Sequence, residues 1–146
     1  ARAKHITTTA KVPHVWEYIH DETGYNYRLT NINAAVGVAQ MERIDSILDN
    51  KRDTAAKYGH LCWENDIEFV KEPAHSKSNY WLNAVVLKDM DERDMFLEYT
   101  NRNGIMTRPC WRLMNKLEIY RNCQHGELGN AEWLEERAVN LPSGVR

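Results

Sequence analysis

The segment Gly24-Tyr25-Asn26-Tyr27-Arg28-Leu29-Thr30-Asn31 sets an amide and a guanidinium in a loop directly ahead of a helix-patterned run. The free N–H groups and dipole at a helix start favour anions. Arg28 offers a planar fork that matches a phosphate or carboxylate, and Asn26 offers a neutral donor. The same residue types also serve local ends, with Asn26 closing a turn and Arg28 pairing with Asp21 or Glu22. Local chemistry leaves both roles open.

A second group is Thr107-Arg108-Pro109-Cys110-Trp111-Arg112. It lies in a basic stretch formed by Arg102, Arg108, Arg112, Lys116 and Arg121, with Glu118 as its acid. A flat Trp111 between two arginines suits stacking on a base while a guanidinium holds a diphosphate. The alternative is internal pairing with Glu127, Glu132, Glu135 and Glu136 further along. His60 with Cys62, and Cys123 with His125, lack the spacing of established metal motifs, so no metal ligand is assigned. No Ser-His-Asp order or glycine-rich phosphate loop can be read, and Lys4 and Lys11 read as solvated amines. The chain thus shows two anion-friendly loops and no catalytic group of its own.

These loops need a scaffold, and 146 residues with 42% hydrophobic and 27% charged composition supply one. A chain of this length buries roughly 70% of its unfolded surface on folding. Net charge −2 argues against a nucleic-acid binder. Mean hydropathy of −0.67 and the absence of a long apolar run exclude a membrane-spanning helix. Three cysteines favour a reducing compartment, and with no signal or transit pattern the expected location is the cytoplasm. Ala1-Arg2-Ala3-Lys4-His5 reads like the interior of an element, as in a trimmed chain or a piece of a larger protein.

Residues 1–30 have no clear period but are too aromatic for a disordered tail. From Asn31 the apolar positions recur at helical spacing to about Leu61, with a break expected near Asp45-Ser46. The small-sided stretch Ala34 to Ala39, with Gly37 inside it, implies a close neighbour or an exposed apolar patch. Ile67 to Val70 reads as a short strand and Tyr80 to Leu87 as a central one. Asp89 and Glu92 have capping-box spacing, and the helix they open, burying Met95, Phe96 and Tyr99, stops at Asn103-Gly104. Ile105 to Thr107 reads as a strand, and Asn130 as the cap of a last helix carrying Trp133, Leu134 and Ala138. This order predicts an α+β domain in which long N-terminal helices pack on a short, mostly antiparallel sheet.

The run Gly24 to Gln40 resembles the G-x-N-x-R…N-A-A-x-G-x-A-Q signature of the DegT-type nucleotide-sugar aminotransferases, which are pyridoxal-phosphate enzymes of fold type I. Residues 3–11, 107–111 and 130–143 fall in the matching order on either side, so the resemblance covers essentially the whole chain. It is similar in particular to the branch that aminates a UDP-linked 4-keto sugar on the way to legionaminic-type surface sugars. The resemblance implies a C-terminal portion: residues 1–30 as the end of the large domain with its active-site loop, 31–65 as connecting helices, and 66–146 as the small domain. The cofactor-bearing lysine would then lie upstream of Ala1, leaving this portion inactive alone. Asn26 matches the asparagine that reaches the cofactor phosphate of the other subunit in a homodimer. Arg28 fits the same motif, where it holds the loop or contacts substrate, and Arg108 and Trp111 match positions at the sugar-nucleotide, substrate-binding end. Many relatives carry a histidine at the position of Asn115. The implied reaction moves an amino group, usually from glutamate, onto the ketone of a nucleotide-linked sugar. The rival expectation is a non-catalytic dimerisation or anion-binding module.

Overall fold

The computed structural model describes residues 1–145. Cα packing divides the chain into two units, residues 1–44 and 45–146.

The first unit is built around helix α1 (Arg2–Thr7), the antiparallel ribbon of β1 (Lys11–Val12) with β2 (Ile19–His20), and helix α2 (Asn31–Met41). The chain turns sharply after α1 through Thr9 and Ala10, both at positive φ, and Ala10 is fully buried. The loop of Tyr25 to Tyr27 then returns along the end of α1. Tyr25 N–H donates to the Ile6 carbonyl (2.7 Å), and Tyr27 N–H to that of Thr7 (3.0 Å). Gly24 is required at this crossing, because a Cβ there would lie 2.5 Å from Ala10 N. Thr30 opens α2 by accepting from Asn33 N–H. The helix contributes no buried residue, and a Cβ on Gly37 would meet nothing within 4 Å among the described residues. The expected exposed patch over Ala34 to Ala39 is therefore present among the described residues.

The second unit packs α3 (Ile44–Glu64) and α4 (Met90–Arg102) against a four-stranded sheet. The strands are β3 (Glu68–Phe69), β4 (Asn83–Val86), β5 (Arg108–Pro109) and β6 (Ala138–Leu141), in the order β3-β4-β6-β5 with every pair antiparallel. Ala55, Tyr58 and Cys62 lie on one face of α3 and meet Phe69, Val85, Leu87, Val139 and Leu141 of the sheet side. Val139 is wholly inaccessible and Val85 nearly so. Asp89 caps α4 by accepting from Glu92 N–H (2.9 Å), the Glu92 carboxylate accepts from Lys88 N–H (2.7 Å), and Gly104 at φ +75° ends the turn.

The α+β organisation is as expected, and several local boundaries differ. The helix break lies at Glu42-Arg43, not at Asp45-Ser46. Met95 and Tyr99 are exposed, because α4 faces the core through Phe96, Leu97 and Thr100. The third expected strand begins at Arg108 instead of Ile105, and Thr107 is its buried anchor, hydrogen-bonded to Thr100 and Asn101. The last helix, α5 (Gly129–Glu135), has Leu128 at its cap without a side-chain bond, so Asn130 does not cap it. Ala138 belongs to β6, which pairs on both sides and is a central strand.

The loop between β3 and β4 is tied by one acid. Glu72 takes two bonds from Arg52 (2.7 and 3.0 Å) and one from Ser78 N–H (2.7 Å). The guanidinium, then the Ser78 amide, holds the Glu72 carboxyl down at about 2. A carboxyl depressed on folding stabilises fully above its unfolded value near 4.5 and loses that contribution as pH falls toward 2. Thermal unfolding between pH 5 and 2 is expected to show this loss, and Glu72→Gln to flatten that part of the profile.

Candidate functional site

Arg108 and Trp111 lie three residues apart along the end of β5, and both line one open cleft of about 530 Å³ in the second unit. Pairing places Arg108 opposite Asn140 and Asn140 opposite Ala84, a row across β5, β6 and β4 on the sheet face away from the core. Arg108 has no carboxylate partner among the described residues; its Nη2 lies 3.6 Å from Met106 Sδ. Trp111 is exposed, and its indole stacks with that of Trp81 at 6.3 Å between centroids and 19° between planes.

The loop after β5 is held from α5. Glu135 accepts from Leu113 N–H (2.9 Å) and pairs with Lys116. Lys116 holds the Glu135 carboxyl below its ordinary value, and Glu135 raises the Lys116 amine in return. Arg102 with Glu98 and Arg121 with Glu118 complete the local pairing. The pairing between basic loop and acidic helix thus absorbs Lys116 and leaves Arg108 facing the cleft. Burial pushes the Cys110 thiol up, which leaves it protonated at neutral pH and a poor nucleophile. Asn115 Oδ1 is buried and has no hydrogen-bond partner among the described residues.

Asn26 and Arg28 lie in the first unit. Asn26 Oδ1 accepts from Arg28 N–H (3.3 Å), the turn that its residue type allows. Its Nδ2 has no acceptor among the described residues, and the side chain is exposed. Arg28 donates from Nη2 to the Thr8 carbonyl (3.0 Å), and the two acids that its charge could have paired with are engaged elsewhere. Glu22 takes Arg2 (3.0 Å), and Asp21 takes His5 (2.6 Å), whose bond holds the Asp21 carboxyl low. His5, Asp21 and Glu22 bring ligand-type atoms within 4.8 Å of one another, yet Arg2 already neutralises Glu22. An Asn26 amide with free N–H groups at a helix-entry loop is a fitting neutral donor for a phosphate.

Trp81 and Asn140 escaped the sequence reading. Trp81 falls in the apolar run from Tyr80 to Leu87 that predicts a strand, although Ser78 and Asn79 just before it are turn formers. Asn140 sits in β6, whose first residue, Ala138, has the spacing of the preceding helix face. Among the described residues no helix is long and apolar enough to cross a membrane.

Comparison with known proteins accounts for this arrangement. The family model described as the DegT/DnrJ/EryC1/StrS aminotransferase family matches residues 3–146. The chain is 35% identical over 131 residues to GDP-perosamine synthase of Vibrio cholerae, covering 86% of this chain and 35% of that protein. Among solved structures it is similar to PseC of Helicobacter pylori, an aminotransferase involved in the biosynthesis of pseudoaminic acid (17% identity, TM-score 0.82, 95% of this chain and 39% of that one). It is similar also to the PLP form of Streptococcus pneumoniae Spr1654, named as a sugar aminotransferase (20% identity, TM-score 0.81, 96% of this chain and 37% of that one). The chain therefore spans little more than a third of the length of these relatives, and its fold is that of the fold-type-I sugar aminotransferases. By the match over almost its full length, this chain belongs to the DegT/DnrJ/EryC1/StrS aminotransferase family of pyridoxal-phosphate enzymes.

Proposed function

We propose that the chain is the C-terminal portion of an aminotransferase that converts a nucleotide-linked 4-keto-6-deoxy sugar to its 4-amino sugar for bacterial surface polysaccharide, in the cytoplasm and as a homodimer. The observation that carries this reading is the cleft in which Arg108, without a carboxylate partner among the described residues, stands beside the exposed Trp111. A guanidinium suits a diphosphate and an indole suits a flat ring, which together are two parts of a nucleotide sugar. The expected nucleotide is UDP, whereas the name of the Vibrio cholerae relative points to GDP.

In this reading residues 1–30 close the large domain, 31–65 connect, and 66–146 form the small domain. Asn26 donates from its free Nδ2 to the phosphate of the cofactor bound by the other subunit, and Arg28 braces that loop through Thr8 or reaches the substrate. Bound pyridoxal phosphate supplies the electron sink for exchange of an amino group between glutamate and the sugar ketone. The lysine that carries it belongs to a preceding segment, so this portion alone supplies binding and orientation and no turnover.

The test is the longer enzyme containing this chain, loaded with pyridoxal phosphate and given glutamate with UDP- or GDP-linked 4-keto-6-deoxy hexose. The expected result is an amino sugar and 2-oxoglutarate, detected by mass spectrometry. In the same enzyme, Asn26→Ala is expected to weaken cofactor retention about tenfold, the size of a lost hydrogen bond to a charged group. Unchanged retention after dialysis counts against the role of Asn26.

A further inference from the structure

The segment that carries Trp81 is held far more firmly than its exposure requires. Tyr80 sits at φ 42°, a left-handed conformation costly for an aromatic residue. Side chains fix the strained turn from two directions. Ser78 Oγ accepts from Tyr80 N–H, and Asn79 Oδ1 from Trp81 N–H, both at 3.0 Å. From α3, Lys51 Nζ donates to the carbonyls of Trp81 (3.1 Å) and Ser143 (2.7 Å). The result is an indole 64% exposed to solvent yet set on a rigid base, parallel to that of Trp111. An incidental surface tryptophan needs no such support, whereas a binding surface gains from being ordered beforehand.

The surroundings of the pair define what would lie on it. Leu82, Met106 and Pro109 make the cleft floor apolar. Asn140 is half-buried there, and no acceptor or donor for its carboxamide exists among the described residues. An amide offers one donor edge and one acceptor edge in a plane, the pattern that a nucleobase edge complements. Arg108, cross-strand neighbour of Asn140, stands where a diphosphate attached to that base would need a cation. A pyranose ring would demand more polar partners than these two side chains provide.

We infer that Trp81 and Trp111 together form a stacking platform for the nucleobase of a nucleoside diphosphate, with Asn140 reading the base edge. This deepens the function proposed above and rests on it, since it identifies which part of the substrate this cleft receives. The platform lies wholly within the second unit, so it binds nucleotide whether or not the cofactor is present.

The experiment titrates the longer enzyme containing this chain with GDP, UDP and inorganic pyrophosphate by calorimetry, and maps contacts by saturation-transfer NMR. At least one nucleotide is expected to bind with magnetisation passing to its base protons, and pyrophosphate to bind at least tenfold more weakly. Trp81→Ala is expected to weaken nucleotide binding about tenfold and leave pyrophosphate unchanged, while Trp81→Phe retains most of the affinity. Equal affinity for nucleotide and pyrophosphate, an unaffected Trp81→Ala variant, or no nucleotide binding at all overturns the inference. Each of these leaves the cofactor-retention and amino-transfer measurements standing, so failure of the platform is separable from failure of the proposed function.

Discussion

Val139→Asp is expected to cost the second unit about 3–5 kcal/mol, the penalty for a buried charge without a partner. Val139 has no accessible surface, pairs with Val85 on one side and Pro109 on the other, and packs in the core with Ala55 and Phe69. Total stability of an ordinary domain is about 5–15 kcal/mol, so this single change removes a large part of it. Val139→Ala removes two methyl groups and leaves a cavity, and should cost about 2 kcal/mol. Asn140→Asp sits one residue along on the open face and should shift the unfolding midpoint little. Urea denaturation followed by circular dichroism orders the three. If Val139→Asp unfolds at the same urea concentration as Asn140→Asp, β6 is not the central strand described here.

That strand is also where local sequence reasoning fails. Leu134 and Ala138 are four residues apart, the spacing of one helix face, and this hides the strand entry at Ala138. Val139-Asn140-Leu141 alternates, but three residues are too few to outweigh the helical pattern before them. Its conformation is imposed by neighbours at residues 83–86 and 108–109, which no local window contains. By contrast, α4 is legible because its signals are local: the bonds from Glu92 N–H to Asp89 and from Lys88 N–H to Glu92 at one end, and Gly104 at the other. The same division holds at the candidate site. Arg108 and Trp111 can be associated from sequence because three residues separate them. Trp81 joins them only through the strand order β4-β6-β5, and its exposure depends on a turn that Ser78 and Asn79 build with their side chains.

Arg108→Ala is expected to weaken nucleotide binding by about 10–100-fold, the range for losing charge-assisted bonds to a phosphate. Other basic side chains nearby have acids, Lys116 with Glu135, Arg121 with Glu118 and Arg102 with Glu98, but among the described residues Arg108 meets only the Met106 sulfur. A guanidinium already neutralised would gain little from a diphosphate, whereas this one can form both prongs of its fork with the ligand. Arg108→Lys keeps the charge and loses the fork, so its affinity should fall between those of the parent and the alanine variant. Arg112 provides the control. It lies in the adjoining cleft with Glu135, whose carboxyl its charge helps to hold low, and Arg112→Ala should change nucleotide binding less than threefold. Raising salt from 0.05 to 0.5 M should weaken binding in the parent and in the Arg112 variant, and much less where Arg108 is absent. Combining Arg108→Ala with Trp81→Ala separates the two contributions, because pyrophosphate feels the first change alone and nucleotide feels both. Equal losses in the Arg108 and Arg112 variants would mean that the cleft presents only diffuse positive charge, with no diphosphate seat at β5.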